Sequence, residues 1–158
     1  MKFGMLVSDC PRDVEPMKQL DGLLRQVEVG QKNGLSYFDI GQHFLYGELR
    51  WLQPIPVLAR LAAEIDDHVR LGATILLAPL YNPVILAEEI ATLDIITRGR
   101  LDVGLGLGYR KDEFALLNVP FKERVSRFDE CLEIMKLCWG MENFDYQGRH
   151  WQIEGATP

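Results

Sequence analysis

Four apolar stretches rich in β-forming residues recur along the chain, and amphipathic segments lie between them. Their onsets are separated by roughly thirty residues or slightly more, which is about the length of one strand–helix unit. Strands that alternate with helices in this way pair in parallel through right-handed crossovers. The pattern therefore predicts an α/β fold with strands over Phe3–Ser8, Tyr37–Gly41, Val69–Ala78 and Leu101–Leu107.

The connections between these strands have helical periodicity. Proline near the start of a segment and glycine just after its end mark the expected helix termini, as at Gly34. The last helix is expected to bury a single apolar stripe. That stripe consists of Val125, Phe128, Leu132, Met135 and Trp139. Helices are predicted over Pro16–Asn33, from Pro54 to about Asp66, over Pro83–Thr97 and over Phe121–Trp139.

The end of the chain departs from the strand–helix alternation. Two short alternating runs around Gln147 and Gly148 predict a small hairpin over Asn143–Ile153. A chain of 158 residues suffices for one core, so we expect residues 1–158 to form a single domain that stops before a fifth strand. Four strands alone would leave two unpaired edges and a largely apolar inner face. We therefore expect either a truncated gene product or a half-barrel that dimerises.

Composition and charge limit the classes of partner and the cellular compartment that we expect for the protein. The net charge is −6 and the 17 lysines and arginines are scattered, which argues against a nucleic-acid partner. No apolar stretch is long enough to span a bilayer, and the start lacks a signal-peptide pattern, so we expect a cytoplasmic protein without membrane contact. The cysteines Cys10, Cys131 and Cys138 lack metal-site spacing and indicate reduced thiols, with no bound metal.

The strand ends are where chemistry is expected. In parallel α/β sheets and barrels, ligands bind at the carboxyl ends of the strands, because loops and helix N-termini converge there. His43 follows the second predicted strand by two residues, and an imidazole there could exchange a proton at neutral pH. A surface or capping histidine is the alternative, and position alone leaves both open.

Three alternate glycines, Gly104, Gly106 and Gly108, occupy the end of the fourth predicted strand. They do not match a dinucleotide fingerprint, because Tyr109 stands where its third glycine would be required. Alternate positions share one face of a strand, so the glycines would leave a shallow trough into which a planar ring could fit. Close packing of a helix on the strand would also use glycine, and the sequence leaves both explanations open.

Three longer stretches of the sequence resemble those of a known protein family. NPVILAEEIATLD and GRLDVGLGLGYR, followed by VPFKERVSRFDECLEIMKLCW, resemble the bacterial-luciferase-like flavin monooxygenase family, which also contains enzymes that use the deazaflavin F420. The resemblance extends from Phe3 to about Ile153. It implies a (β/α)8 barrel of the TIM type, of which this chain would supply the first four βα units and a hairpin.

The same resemblance implies a function. The expected activity is that of a flavin- or F420-dependent oxidoreductase that binds FMN or F420 at the mouth of the barrel and acts on a small organic substrate. The implied partners are a flavin reductase that supplies reduced cofactor and either a second copy of the chain or a complementing half-barrel. Alternatives are a non-catalytic flavin-binding half-barrel, a partner subunit, or a fragment without activity.

The resemblance also assigns roles to individual positions. His43, in the stretch GQHF, matches a histidine that takes part in proton handling, and Gln42 replaces an acidic residue of the family. The Thr74–Ile75 bond matches a non-proline cis peptide that supports the flavin ring. The fourth strand end would give the ring room and line its side. The implied cofactor-binding residues are Gln42, Thr74, Ile75, Gly106, Leu107, Gly108 and Tyr109.

Overall fold

The computed structural model describes residues 3–7 and 9–158, with the backbone alone at Asp9. These residues fall into two compact units, Met1–Leu76 with Leu93–Gly104 and Leu77–Thr92 with Leu105–Pro158. The strands are β1 (Gly4–Leu6), β2 (Asp9–Pro11), β3 (Tyr37–Ile40), β4 (Leu49–Trp51), β5 (Arg70–Leu76), β6 (Leu101–Leu105), β7 (Phe144–Gln147) and β8 (Gln152–Ala156). The α-helices are α1 (Pro16–Lys32), α2 (Pro54–Leu61), α3 (Pro83–Thr97), α4 (Lys111–Leu116) and α5 (Arg124–Gly140).

The main sheet lies in the first unit and has the strand order β1-β3-β5-β6. Strand β3 pairs in parallel with both β1 and β5. The four strands coincide with the four predicted apolar stretches, although each is shorter than predicted. Ser8, the predicted end of the first strand, lies outside the described residues. The prediction of an α/β fold with a parallel sheet is confirmed.

One face of this sheet is buried beneath helices. Phe38 and Ile40 of β3 and Leu71 and Ala73 of β5 are at most 1% exposed. Gly30 of α1 lies so close to Phe38 that a β-carbon at Gly30 would be 2.7 Å from the phenyl ring. Glycine therefore allows α1 to approach the sheet, and apolar burial here supplies the main driving force for folding.

The other face, called the open face below, is polar, and the expectation of a largely apolar inner face is wrong. Tyr37 and Asp39 of β3 alternate with the buried residues, and Arg70 and Thr74 of β5 are likewise only partly buried. Arg70 forms an ion pair with Asp102 of β6 at 2.7 Å. Alternate positions of a strand face opposite sides of the sheet, so the apolar residues of these strands are gathered on the covered face and the polar ones on this face.

The structure also adds elements that the hydrophobic pattern did not predict. Strands β2 and β4 form a small antiparallel pair, with Asp9 opposite Trp51. Helix α4 is one short segment of six residues between β6 and α5. Such segments are too short to show a periodicity of their own.

Two predicted helices differ from those observed. Helix α2 ends at Leu61 rather than near Asp66. Helix α5 begins at Arg124 after a short 3-10 turn, and its buried side chains are Cys131, Ile134 and Met135. Val125 and Trp139, which the predicted stripe would bury, are half exposed. Met135 of the predicted stripe is buried, so the buried face is rotated from the predicted one towards Cys131 and Ile134.

The second unit holds the predicted hairpin, formed by β7 and β8 in antiparallel pairing. Its connecting loop is fastened to α5 by Glu130. The Glu130 carboxylate accepts hydrogen bonds from the backbone N–H groups of Arg149, His150 and Trp151 at 2.9 to 3.3 Å. The guanidinium of Arg127 lies over the Trp151 ring. The loop is thereby held by α5 from two positions.

Candidate functional site

His43 lies three residues beyond the end of β3, in the loop that leads to β4. Its imidazole contacts two aromatic rings, those of Tyr46 and Trp51, each with its centroid 4.7 Å away. Trp51 in turn packs on Gly41, where a β-carbon would lie 3.3 Å from the indole. Among the described residues, the buried indole N–H of Trp51 has no hydrogen-bond acceptor. Ring packing, rather than hydrogen bonding, therefore holds the indole beside His43.

Gln42 is 4% exposed, so its side chain points into the protein. Its Nε2 donates to Oε1 of Gln53 at 3.1 Å, and Nε2 of Gln53 donates to the carbonyl oxygen of His43 at 3.0 Å. Gln53 is the residue immediately before helix α2. Gln53, Tyr46 and Trp51 were not among the residues predicted for the site. Gln53 could have been noticed as the residue before Pro54, whereas nothing in the sequence brings Trp51 to His43.

The Thr74–Ile75 peptide bond is cis, as the family resemblance implies. The Thr74 hydroxyl donates to the carboxylate of Asp39 on the open face. Ile75 is 42% exposed although it lies within a strand. A β-carbon at Gly104 would be 3.3 Å from the Ile75 side chain, so glycine lets β6 lie directly against this segment. The result is an exposed apolar surface beside a hydrogen-bonded carboxylate.

The open face also carries the charged side chains of Asp39, Arg70 and Asp102. Burial, followed by the neighbouring carboxylates of Asp102 and Asp39, raises the pKa of the Tyr37 hydroxyl. The hydrogen bonds from Arg70 lower the pKa of Asp102. Arg70 and Asp102 neutralise each other, and Asp39 is bonded to a neutral hydroxyl. The open face therefore carries a carboxylate next to Thr74.

The candidate stretch Gly106–Tyr109 belongs to the second unit. Strand β6 ends at Leu105, so Gly106 and Gly108 follow the strand, and the predicted trough of three glycines within one strand is wrong. Gly108 has a φ of +74°, and a β-carbon there would lie 3.0 Å from Phe114 of α4. The turn and the close helix account for this glycine. Leu107 and Tyr109 are exposed, Tyr109 by 72%.

Residues 3–7 and 9–158 contain no group of three or more histidine, cysteine or acidic side chains arranged to hold a metal ion. None of its helices combines the length and the apolar character needed to cross a membrane. The three cysteines carry free thiols, and burial raises the pKa of Cys131 to about 11. Cys131 is therefore a poor nucleophile at neutral pH.

Comparison with known proteins places these features in a family. The family model described as luciferase-like monooxygenase matches residues 1–158. The oxygenase component of the flavin-dependent trigonelline monooxygenase of Acinetobacter baylyi is 30% identical over 162 residues, which cover 99% of this chain and 44% of that protein. An F420-dependent glucose-6-phosphate dehydrogenase of Segniliparus rotundus is 30% identical over 146 residues, which cover 85% of this chain and 42% of that protein.

A solved structure agrees. The crystal structure of a monooxygenase from Streptomyces bottropensis superposes with a TM-score of 0.86 at 29% identity, over 99% of this chain and 48% of that one. The chain thus spans less than half the length of each of these three proteins. Its α/β fold with a parallel sheet is that of the luciferase-like TIM-barrel enzymes, as predicted. The chain belongs to the luciferase-like monooxygenase family.

Proposed function

We propose that the chain acts as a flavin- or F420-dependent oxidoreductase of the luciferase-like monooxygenase type, with a small organic molecule as substrate. The observation that carries the proposal is the match of 99% of the chain to the oxygenase component of a flavin-dependent monooxygenase. A dehydrogenase named for F420 is equally identical to the chain. Both FMN and F420 therefore remain candidates for the cofactor.

The residues of the first unit suit a planar ring. Ile75 presents an apolar side chain at the surface of the open face, and Gly104 beside it adds no side chain. Burial of such a surface by a ring is favourable because it removes apolar area from water. We propose that Thr74 and Ile75 bind the ring. The cofactor would supply the redox chemistry, while the protein supplies placement and exclusion of water.

His43 is proposed as the catalytic residue. An imidazole can accept or donate a proton in catalysis, and the rings of Tyr46 and Trp51 restrict the orientation of this one. A fixed imidazole that exchanges a proton with the reacting group typically contributes about 10²- to 10⁴-fold to a rate. Gln42 is included in the site because its hydrogen bond to Gln53 links it to the His43 backbone.

In the second unit, the stretch Gly106–Tyr109 is proposed to bind the cofactor. Gly106 and Gly108 are partly accessible and add no side chain, and Leu107 and Tyr109 offer exposed side chains for contact. A cofactor could therefore approach the backbone of this stretch closely and pack against the flanking side chains.

Three further proposals concern partners and location. We propose a flavin reductase as a partner, because the Acinetobacter relative is named an oxygenase component. The free thiols support a cytoplasmic location. The exposed side chains of Phe3 and Leu6 near the β1 edge support association with a second copy or a complementing half-barrel.

Cofactor titration tests the proposal. The purified chain is mixed with FMN or F420, bound cofactor is measured by absorbance and fluorescence, and oxidation of the reduced cofactor is followed with and without small organic substrates. Saturable binding and turnover support the enzyme, and His43→Asn should then lower kcat by about 10²-fold or more while cofactor binding persists. Binding without turnover would instead identify a flavin-binding module. If neither cofactor binds, the proposal is wrong.

A further inference from the structure

Two glutamine side chains form a chain of directed hydrogen bonds that ends on the backbone of His43. Gln42 donates to Gln53, and Gln53 donates to the His43 carbonyl oxygen. The first side chain is 4% exposed, and the second belongs to the residue that precedes helix α2. The loop that carries His43 is therefore tied to the start of a helix whose side chains Val57, Leu58 and Leu61 are buried.

The direction of these bonds depends on the residue types. An amide presents its acceptor oxygen on one edge and its NH2 group, which has two N–H donors, on the other edge. Because Gln42 donates to the oxygen of Gln53, the NH2 group of Gln53 remains available for His43. A carboxylate at position 42 could only accept, so Gln53 would have to turn its NH2 group towards position 42. Its oxygen would then face the His43 carbonyl oxygen, and the second bond would be lost.

The loop needs such a support. Leu45, within the same loop, has a φ of +47° and is exposed, and this left-handed conformation is unfavourable for a residue with a β-carbon. On the ring side of His43, the contacts with Tyr46 and Trp51 are close, but the indole N–H of Trp51 makes no hydrogen bond among the described residues. Packing of the indole therefore steadies the imidazole, and the glutamine pair holds the backbone that carries it.

We propose that Gln42 and Gln53 are positioning residues that hold the His43 imidazole against Trp51, and that this pair requires an amide donor at position 42. Gln42 thus acts through Gln53 on His43. The catalytic importance of this placement rests on the function proposed above. The placement itself can be measured without any cofactor, so the two proposals can fail separately.

The test compares three variants of the full chain by NMR, using cross-peaks between the His43 and Trp51 ring protons, and by near-ultraviolet circular dichroism. In Gln42→Glu, at a pH where the introduced carboxyl group is ionised, the cross-peaks should be lost and the aromatic dichroism should change. Gln53→Lys alone should retain them, since an ammonium group can donate to two oxygens at once. The double variant Gln42→Glu/Gln53→Lys should restore them, because the introduced ammonium group can donate to both the introduced carboxylate and the His43 carbonyl oxygen.

A further variant guards against poor folding of Gln42→Glu. Gln53 is only partly buried, so Gln53→Met should fold, yet it removes both bonds and should lose the cross-peaks. Unchanged cross-peaks in Gln53→Met, or a double variant as disturbed as Gln42→Glu, would overturn the proposal. In an active preparation, Gln42→Glu should lower kcat more than it raises KM, and Gln53→Lys should rescue it. Intact placement with no turnover in any variant would instead count against the proposed function.

Discussion

The two faces of the main sheet come from the same four strands, but one is held by apolar packing and the other by polar interactions. On the helix-covered face, Phe38 and Leu71 are fully buried and packing decides which residue fits. On the open face, Asp39 and Thr74 are paired by a hydrogen bond and remain partly accessible. The covered face therefore supplies stability, and the open face is free to carry chemistry. Substitutions on the two faces should differ accordingly.

The largest effect on stability is expected at Phe38. Phe38→Ala removes a fully buried ring and leaves a cavity between β3 and α1, which should lower the free energy of unfolding by about 3–5 kcal/mol. Leu6→Ala on the open face is the matched control, because Leu6 is 56% exposed and should cost less than about 0.5 kcal/mol. Urea denaturation measures both. Equal losses would contradict the distinction between the faces.

An intermediate effect is expected where α1 meets the sheet. Gly30→Ala should lower the free energy of unfolding by about 1 kcal/mol net, because overpacking against Phe38 costs about 1–3 kcal/mol and exceeds the gain in helix propensity. Gly22→Ala in the same helix meets no atom within 4 Å and should stabilise by about 0.5–1 kcal/mol. Thermal unfolding of the two variants should therefore shift in opposite directions. A stabilised Gly30→Ala would show that the contact can relax.

On the open face, the hydroxyl of Thr74 should matter more than its shape. Thr74→Val removes the donor to Asp39 and should cost about 1 kcal/mol of unfolding free energy, the typical value of one net hydrogen bond. Thr74→Ser keeps the donor and serves as the control. Chemical denaturation at neutral pH distinguishes them. Equal stability of the wild type and Thr74→Val would mean that the bond contributes nothing.

The smallest effect is expected for the ion pair between Arg70 and Asp102, whose side chains are 41% and 46% exposed. Asp102→Asn should lower the unfolding free energy at neutral pH by no more than about 1 kcal/mol, because solvent screens the pair. The folded-state pKa of Asp102 is lowered, so this stability is present above the ordinary pKa of an aspartate and disappears as the pH falls through the lowered value. The difference between wild type and variant should therefore begin to shrink below about pH 4 and disappear below the lowered pKa of Asp102. A gap that persists in acid would point to lost packing instead.

Much of the fold could be predicted because its signals are local. Helix α3 was predicted at both ends, since Pro83 opens it and the chain turns away through the left-handed residues Arg98 and Gly99. The apolar content of the strands predicts where they lie but not where they end. After β6, for example, the turn at Gly108 depends on its contact with Phe114. The polar open face was not predicted because alternate positions of the strands were not assigned to opposite faces.

The candidate site was predictable in its position but not in its surroundings. His43 could be singled out because a histidine just after a strand is visible in the sequence. The rings that contact His43 could not be predicted, since Trp51 is placed by the antiparallel pairing of β4 with β2. Strands of three residues are too short to be recognised in the sequence. Likewise, the contact between Gly104 and Ile75 depends on the register of β6 beside β5. Local patterns find candidate residues, and tertiary pairing decides their neighbours.

The attachment of the hairpin loop to α5 has a consequence for how sequences in this region can vary. Glu130 binds N–H groups that every amino acid except proline possesses, so the side chains at positions 149–151 are unconstrained by that contact. The anchoring carboxylate itself has no such freedom, because its reach and its charge must both be retained. The loop side chains have their own separate contacts, since His150 bonds to Ser126 and Trp151 lies under Arg127. A substitution at either position should therefore lose one contact, whereas replacement of Glu130 should release three backbone groups at once.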